Sequence, residues 1–413
     1  MKLCLSKEGL FRLYLLLNLL VLLKAFTWIY TGQGAYILDD ETSNVMRMHS
    51  LLTLVLISSL FAFYWKPLIF DRSLWLIWLI FFYFLLSAFW AFEFKETVRM
   101  CRSLFFQIMV AVAITKGANL ATIVSRLAYV GKGIIALNLI FAVGFSSLAF
   151  ETGYFEGSYE GAMRGIFSSK NTFGAIIAFA YSMFLLEFLY ARGRDKIIIF
   201  GWILLSCIFL LLSMSATSWI AAICATALMM LASSPQFIAS RQISRVTLIL
   251  IFFSTISLLA LTIEPILKAL GRDLTFTGRT ILWEFAWDNF LENPIFGYGL
   301  NSFWRKMLHF DLLEQNGLWN IGQAHNGFVD ALLAGGVIGG GLVLAVYLKM
   351  FFDILRELTR LKVTRSLSVL LVLFWLSLIQ NLTETSFPYS MRITGTLIAV
   401  FFIISSRLNG AKR

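Results

Sequence analysis

Apolar runs, each close to the roughly 20 residues that a helix needs to cross a bilayer, follow one another along nearly the whole of this 413-residue chain. Hydrophobic residues make up 59% of the sequence and charged residues 14%, whereas soluble domains carry about 25% charged residues. The expected fold class is therefore an all-α polytopic membrane protein. No stretch is left over for a separate soluble domain, so residues 1–413 read as a single membrane-embedded domain.

The clearest spans are Leu10–Tyr30, His49–Tyr64, Leu74–Phe92, Gly131–Phe150, Phe173–Tyr190, Val246–Ile263, Gly327–Tyr347, Leu367–Leu382 and Tyr389–Ser405. Ile197–Leu231 is too long for one helix and divides at the polar centre SMSATS (Ser213–Ser218) into a hairpin of two. Ser103–Thr115 is short unless its helix begins near Glu96, with Arg99 and Arg102 reaching outward along their alkyl stems. Counting it gives about 12 spans of the length a bilayer requires.

With that count and a cytoplasmic N-terminus, most of the 34 Lys and Arg residues fall on one side and most of the 23 acidic residues on the other. This satisfies the positive-inside rule. The net charge of +11 is then a topological signal and does not point to nucleic acid. The basic N-terminus leads into an apolar run with no small-residue cleavage site, which is expected to be a first span. Cys4, Cys101, Cys207 and Cys224 show no metal-ligand spacing, so neither a metal nor any other cofactor is expected.

The same topology puts the longest connection, residues 264–325, outside the cytoplasm. Long connections with little regular structure are usually functional. Within it, GRTILWEFAWDNFLENP has helical spacing: Glu284, Asp288 and Glu292 share one face, while Leu282, Ala286 and Phe290 share another with Trp283 and Trp287. An amphipathic helix lying in the membrane interface is expected there, ended by Pro294 and the glycines of GYG.

Basic residues on this face are conspicuous because the face is otherwise acidic. Arg164 and Lys170 lie in GAMRGIFSSKNTFG, Arg272 and Arg279 in LGRDLTFTGRT. Each could be a plain interfacial anchor, the reading preferred for Arg99, Arg102 and Arg305. Beside Gly161, Gly165 and Gly278, which allow unusual backbone geometry, Arg164 and Arg279 also suit a bidentate grip on phosphate. His325, one of three histidines with His49 and His309, opens the span that begins at Gly327. It could be an interfacial ring bonded to a carbonyl, or a general base mounted on a helix start. There Asn326 can cap, Asp330 suits the first turn, and the positive helix end disfavours imidazolium. The pairs Gly335/Gly339 and Gly336/Gly340 are read as close helix packing.

Seven elements, LSAFWAFEFKETVR, RGIFSSKNTFGA, LLSMSATSWIA, LGRDLTFTGRTILW, NPIFGYGLNSFW, AHNGFVDALLAGGVIG and NLTETSF, together resemble the O-antigen ligase/polymerase superfamily of bacterial envelope glycosyltransferases. The wording of RGIFSSKN and GRDLTFTGRTILW is most similar to its ExoQ-like exopolysaccharide polymerases. The resemblance implies a GT-C-like fold in the inner membrane, with the 264–325 loop and active face in the periplasm. It implies inverting, metal-independent transfer of oligosaccharide from a polyprenyl-pyrophosphate carrier. The acceptor would be a lipid-linked chain or, for a ligase, lipid A–core; a protein oligosaccharyltransferase is a remoter option. Arg164 and Arg279 would hold the pyrophosphate, with Lys170, Arg272 and Asn326 as further substrate-binding candidates, and His325 would activate the acceptor hydroxyl. A chain-length regulator and export proteins are candidate partners. A transporter or lipid flippase is the alternative from another class. Such proteins carry ionisable groups near the bilayer midplane and paired broken helices; here Lys24, Glu187 and Arg392 lie toward span ends and charge gathers on one outer face.

Overall fold

The computed structural model describes residues 6–26, 44–151, 160–233, 247, 279–309, 322–358, 365–389 and 393–410, without the side chains of 44–46, 67–70, 279–281, 308–309 and 410. Among the described residues the secondary structure is helical apart from one isolated bridge, Phe150–Met163. The principal helices are α1 (Lys7–Leu22), α2 (Asn44–Phe70), α3 (Trp75–Leu86), α4 (Phe94–Thr115), α5 (Leu120–Gly144) and α6 (Lys170–Tyr190). They are followed by α7 (Arg194–Ser213), α8 (Ala216–Ser233), α9 (Arg279–Glu292), α10 (Ser302–His309), α11 (Gly327–Leu358), α12 (Arg365–Thr383) and α13 (Thr394–Gly410). Nine described helical stretches are long and apolar enough to cross a membrane, α1 and α13 being shorter. Each expected span overlaps one of these helices except Val246–Ile263, which lies outside the described residues apart from Thr247. The helix of the first ends at Leu22 and turns over residues 23–26, short of the expected Tyr30.

Helix α4 and the runs 366–381 and 393–405 in α12 and α13 form the centre; these two runs, and residues 106–115 of α4, are buried without interruption. Helix α7 lies outside and exposes Ile197, Phe200, Leu204, Ile208 and Leu211, the apolar surface that hydrocarbon rather than water tolerates. The hairpin break falls inside SMSATS: Met214 is left-handed (φ +48°), and the Trp219 indole closes the turn on the Leu210 carbonyl at 2.6 Å.

The structure differs from the sequence reading at three places, each for an electrostatic or backbone reason. Helix α5 begins at Leu120, capped by Asn119, well before Gly131. Its charges are neutralised in place: Arg126 donates to both Glu8 carboxylate oxygens at 3.0 Å and to the Ile114 carbonyl at 2.8 Å, and Lys132 pairs with Glu187 at 2.8 Å. Arg99 does not simply reach outward; its guanidinium lies 2.6 Å from the buried Glu96 carboxylate.

The third difference is a break in α11. Gly336 has φ +59° and ψ −160°, so the helix bends there. Broken backbone at membrane depth needs new partners, and NPIFGYG supplies them. Tyr298 and Gly299 donate their N–H groups to the Leu333 and Ala334 carbonyls (3.0 and 2.8 Å), and Val337 donates to the Pro294 carbonyl (2.8 Å). Tyr83 adds its hydroxyl to the Gly335 carbonyl at 2.5 Å. Gly335 and Gly339 do provide close packing, against Tyr83 and Phe84 of α3. Gly336 instead supplies the positive φ, and a Cβ there would strike the Ile295 carbonyl. Replacing Gly336 with alanine is expected to cost about 1–3 kcal/mol and to lower the thermal midpoint in detergent. Gly341→Ala, with nothing within 4 Å, should leave that midpoint unchanged or raise it.

Candidate functional site

The N-termini of α6 and α11 and the C-terminus of α12 meet at one end of the bundle, and most of the residues expected to carry chemistry are there. The turn before α6 is built by two glycines in the left-handed region, Gly161 (φ +80°) and Gly165 (φ +57°). Asn138 of α5 fixes it by accepting the Ile166 N–H at 3.0 Å, and a Cβ at Gly165 would collide with that amide. Arg164 is 4% exposed between them and donates Nε–H to the Leu148 carbonyl at 3.2 Å. Burial lowers its pKa, while the negative charge of Glu151 acts the other way. Lys170, the first residue of α6, is also buried, and its backbone N–H bonds Glu151 at 2.8 Å.

The next residue links this turn to His325. Asn171 donates its amide to Glu384 Oε1 at 3.2 Å, and Glu384 Oε2 lies 3.0 Å from His325 Nδ1. The carboxylate is 6% exposed and the imidazole 28%. An ionised carboxylate can only accept, so the ring proton is assigned to Nδ1, leaving Nε2 of the neutral ring as a bare acceptor. Gln323 Nε2 lies 3.2 Å from the same Nδ1 and 3.5 Å from Glu384 Oε2. Two N–H groups cannot donate to each other, so the glutamine amide donates its N–H to the carboxylate. From the sequence a carbonyl partner or a helix dipole is expected for this ring; in the structure a carboxylate orients it.

Asp330, wholly buried one turn into α11, holds both members of the pair. Its carboxylate accepts the Ala324 N–H (3.2 and 3.1 Å), the Trp304 indole N–H of α10 (2.5 Å) and the Thr385 hydroxyl. Ala324 precedes His325, and Thr385 follows Glu384. His325 itself has φ +50°, a conformation uncommon for any residue but glycine and kept only where the surroundings over-determine it. Asn326, a substrate-binding candidate in the sequence, here accepts the Phe328 and Val329 N–H groups (3.0 and 3.3 Å) and caps α11.

The expected amphipathic helix is α9. Leu282, Ala286 and Phe290 are buried in a separate small apolar cluster, while Glu284, Asp288 and Glu292 are exposed. Trp283 donates its indole N–H to the Ala324 carbonyl at 2.8 Å, which brings the start of α9 beside His325. Arg279 opens that helix, one turn before Trp283; its side chain, and the whole of Arg272, lie outside the described residues. Among the described residues no three His, Cys, Asp or Glu side chains gather in a way that could hold a metal ion.

Glu384, Asp330 and Trp304 were not singled out as site residues by the sequence. Their signals were present: Glu384 lies in NLTETSF, an acid directly after an apolar span, and Asp330 is an acid inside one. What the sequence could not supply was the tertiary contact.

Residues 200–344 match a family model described as O-antigen ligase. The chain is 30% identical over 231 residues to the exopolysaccharide production protein ExoQ of Rhizobium meliloti (strain 1021), an alignment that covers 51% of this chain and 51% of that protein. The chain thus spans about half the length of the curated relative it matches.

Removing one donor from a buried carboxylate should cost about 1–3 kcal/mol. Trp304→Phe and Thr385→Val are each expected to lower the thermal midpoint in detergent. Because both act on Asp330, the double variant should depart from additivity.

Proposed function

We propose that the chain, which is similar to the O-antigen ligase family model over residues 200–344 and to ExoQ over about half its length, is an envelope glycosyltransferase of the inner membrane. It moves an oligosaccharide from a polyprenyl-pyrophosphate carrier to a glycan acceptor on the periplasmic face, joining exopolysaccharide or O-antigen repeats. The observation that supports this most is the His325–Glu384 pair, with a ring that is 28% exposed and linked through Asn171 to the segment carrying Arg164 and Lys170.

The chemistry divides among these residues. His325 Nε2 takes the proton of the acceptor hydroxyl as its oxygen bonds to the anomeric carbon. The bond from that carbon to the pyrophosphate oxygen breaks, and the carrier pyrophosphate leaves with the electron pair. Such a leaving group needs neutralisation of its developing charge rather than a general acid, the role of Arg164 and Lys170, with Arg279 and Arg272 as further cations from the 264–325 loop. Attack opposite the leaving group inverts the anomeric centre. Glu384 keeps the imidazole in the tautomer that accepts at Nε2 and stabilises the imidazolium as it forms.

The test is transfer by the purified chain from a polyprenyl-pyrophosphate oligosaccharide. A general base contributes about 10²–10⁴-fold, so His325→Ala should lose transfer by that order while donor binding persists. Glu384→Gln should lower kcat with little change in KM, and Arg164→Ala should weaken donor binding. Full transfer by His325→Ala would remove the mechanism. Movement of the lipid-linked glycan across the bilayer without release of carrier pyrophosphate would instead identify a transporter.

A further inference from the structure

The polar stretch SMSATS takes no part in the chemistry above, yet it lies at the same end of the bundle: the Met163 N–H, beside Arg164, donates to the Leu212 carbonyl at 2.8 Å. Its first residues serve the hairpin. Ser213 donates to the Leu210 carbonyl at 2.6 Å and accepts the Ser215 N–H at 3.2 Å. Thr217 and Ser218, in the first turn of α8, are not needed for that bend. Ser218 donates to the Ser215 hydroxyl at 2.9 Å, and Thr217 lies 3.3 Å from the same oxygen. Both line a cleft between α6, α8 and α12.

The cleft measures about 310 Å³ counting its open mouth and narrows to room for about one water-sized group. Small residues make the space. Gly174 lets α8 approach α6, since a Cβ there would strike the Ser218 hydroxyl, and Ala175 and Ala221 leave the floor unfilled. The walls are polar: Asn171 from α6, Thr217 and Ser218 from α8, and Gln380 and Glu384 from the end of α12. No lysine or arginine lines it.

These groups are held in place and still have bonding capacity. Asn171 gives one amide proton to Glu384 Oε1 at 3.2 Å, and its carbonyl oxygen accepts from no described residue. Gln380 accepts the Thr394 hydroxyl at 2.8 Å and turns its amide to the Ala175 carbonyl at 3.4 Å, which leaves a second amide proton over. The hydroxyl oxygens of Thr217 and Ser218 can still accept. A wall with one carboxylate and no cation disfavours an anion. It suits a neutral hydroxyl, which donates and accepts at once.

Glu384 joins this cleft to the base. Its Oε1 takes the Asn171 amide, whereas Oε2 faces His325 Nδ1. A sugar with a hydroxyl in the cleft therefore lies across the carboxylate from the imidazole, beside the reacting position and not in it. We propose that the cleft is a glycan subsite. It takes one projecting hydroxyl or hydroxymethyl group of a neutral sugar unit next to the one that reacts, bonded by Thr217, Asn171 and Gln380. That the sugar belongs to a carrier-linked glycan rests on the glycosyltransferase reading; the hydroxyl-binding cleft does not.

The full chain in nanodiscs is titrated with the methyl glycosides of glucose, galactose, mannose and N-acetylglucosamine, followed by saturation-transfer NMR. At least one should bind. Thr217→Val keeps the side-chain shape, removes the hydroxyl and should weaken that binding about five- to tenfold, the loss of one hydrogen bond. Thr217→Ser should restore it. Ala221→Leu fills the floor and should abolish binding, its thermal midpoint in detergent checking that the variant folds. His325→Ala should bind as the parent does. Binding that survives both Thr217→Val and Ala221→Leu unchanged, or no binding by any of the four glycosides, would overturn the subsite and leave a notch that holds water only. In the transfer assay Thr217→Val should raise the KM for a glycan substrate more than it lowers kcat. Glycoside binding by a chain that transfers nothing would keep the subsite and discard the transferase reading.

Discussion

A carboxylate in an apolar surrounding survives only if its hydrogen-bonding capacity is met, and Asp330 is such a group at the heart of the structure. Wholly buried, it takes donors from α10 through Trp304, from the chain entering α11 through Ala324, and from the chain leaving α12 through Thr385. Its own backbone carbonyl accepts the Tyr389 hydroxyl at 2.8 Å. Losing any one of the three donors to the carboxylate should cost about 1–3 kcal/mol, so the segments cannot drift independently. The 3.0 Å contact between His325 and Glu384 follows, because each is the chain neighbour of a residue that Asp330 holds. The left-handed backbone at His325 follows as well, locked between the Ala324 anchor and the Asn326 cap.

The break at Gly336 adds a constraint from the solvent side of the problem. Hydrocarbon offers no partner for a freed N–H or C=O, so the bend in α11 and the NPIFGYG segment exist only together. That segment carries α9 on one side and α10 on the other, and α10 carries Trp304. The bend therefore determines where the donor to Asp330 stands. A residue at the break and a hydrogen bond in the site are two ends of one mechanical chain.

Nearly all the spans were legible because hydrocarbon burial writes a simple apolar pattern. The hairpin at SMSATS was legible because a run twice the bilayer thickness must turn. Helix α5 was under-read for the opposite reason: Arg126 and Lys132 look like loop residues until Glu8 and Glu187, far away in sequence, are seen to neutralise them. The turn around Arg164 was visible from its flanking glycines, both of which take positive φ. His325 was visible by its scarcity and its place at a helix start. Glu384 was not, since one acid after a span resembles any solvated helix end, and only the fold brings it 59 positions back to the imidazole. Arg99 reads as a plain interfacial anchor, and only the fold shows Glu96 beside it, held inside by Asn301 of the loop before α10.

The polarity of the helices explains why one end of the bundle concentrates this chemistry. Helices α6 and α11 both start in the layer where α12 ends, so their positive dipole ends face that layer together, with Glu151, Ser169 and Asn326 capping their first N–H groups. Side-chain cations there, Arg164 and Lys170, add to a field that favours an incoming anion. The same field would draw Glu384 toward the cations, yet Asn171, Gln323 and His325 hold its oxygens. The carboxylate is thereby committed to the ring and its neighbours. On the proposed mechanism, this separation of two functions, cations for charge and a tethered carboxylate for the imidazole, would let a general base and an anion-binding turn share one small region without cancelling each other.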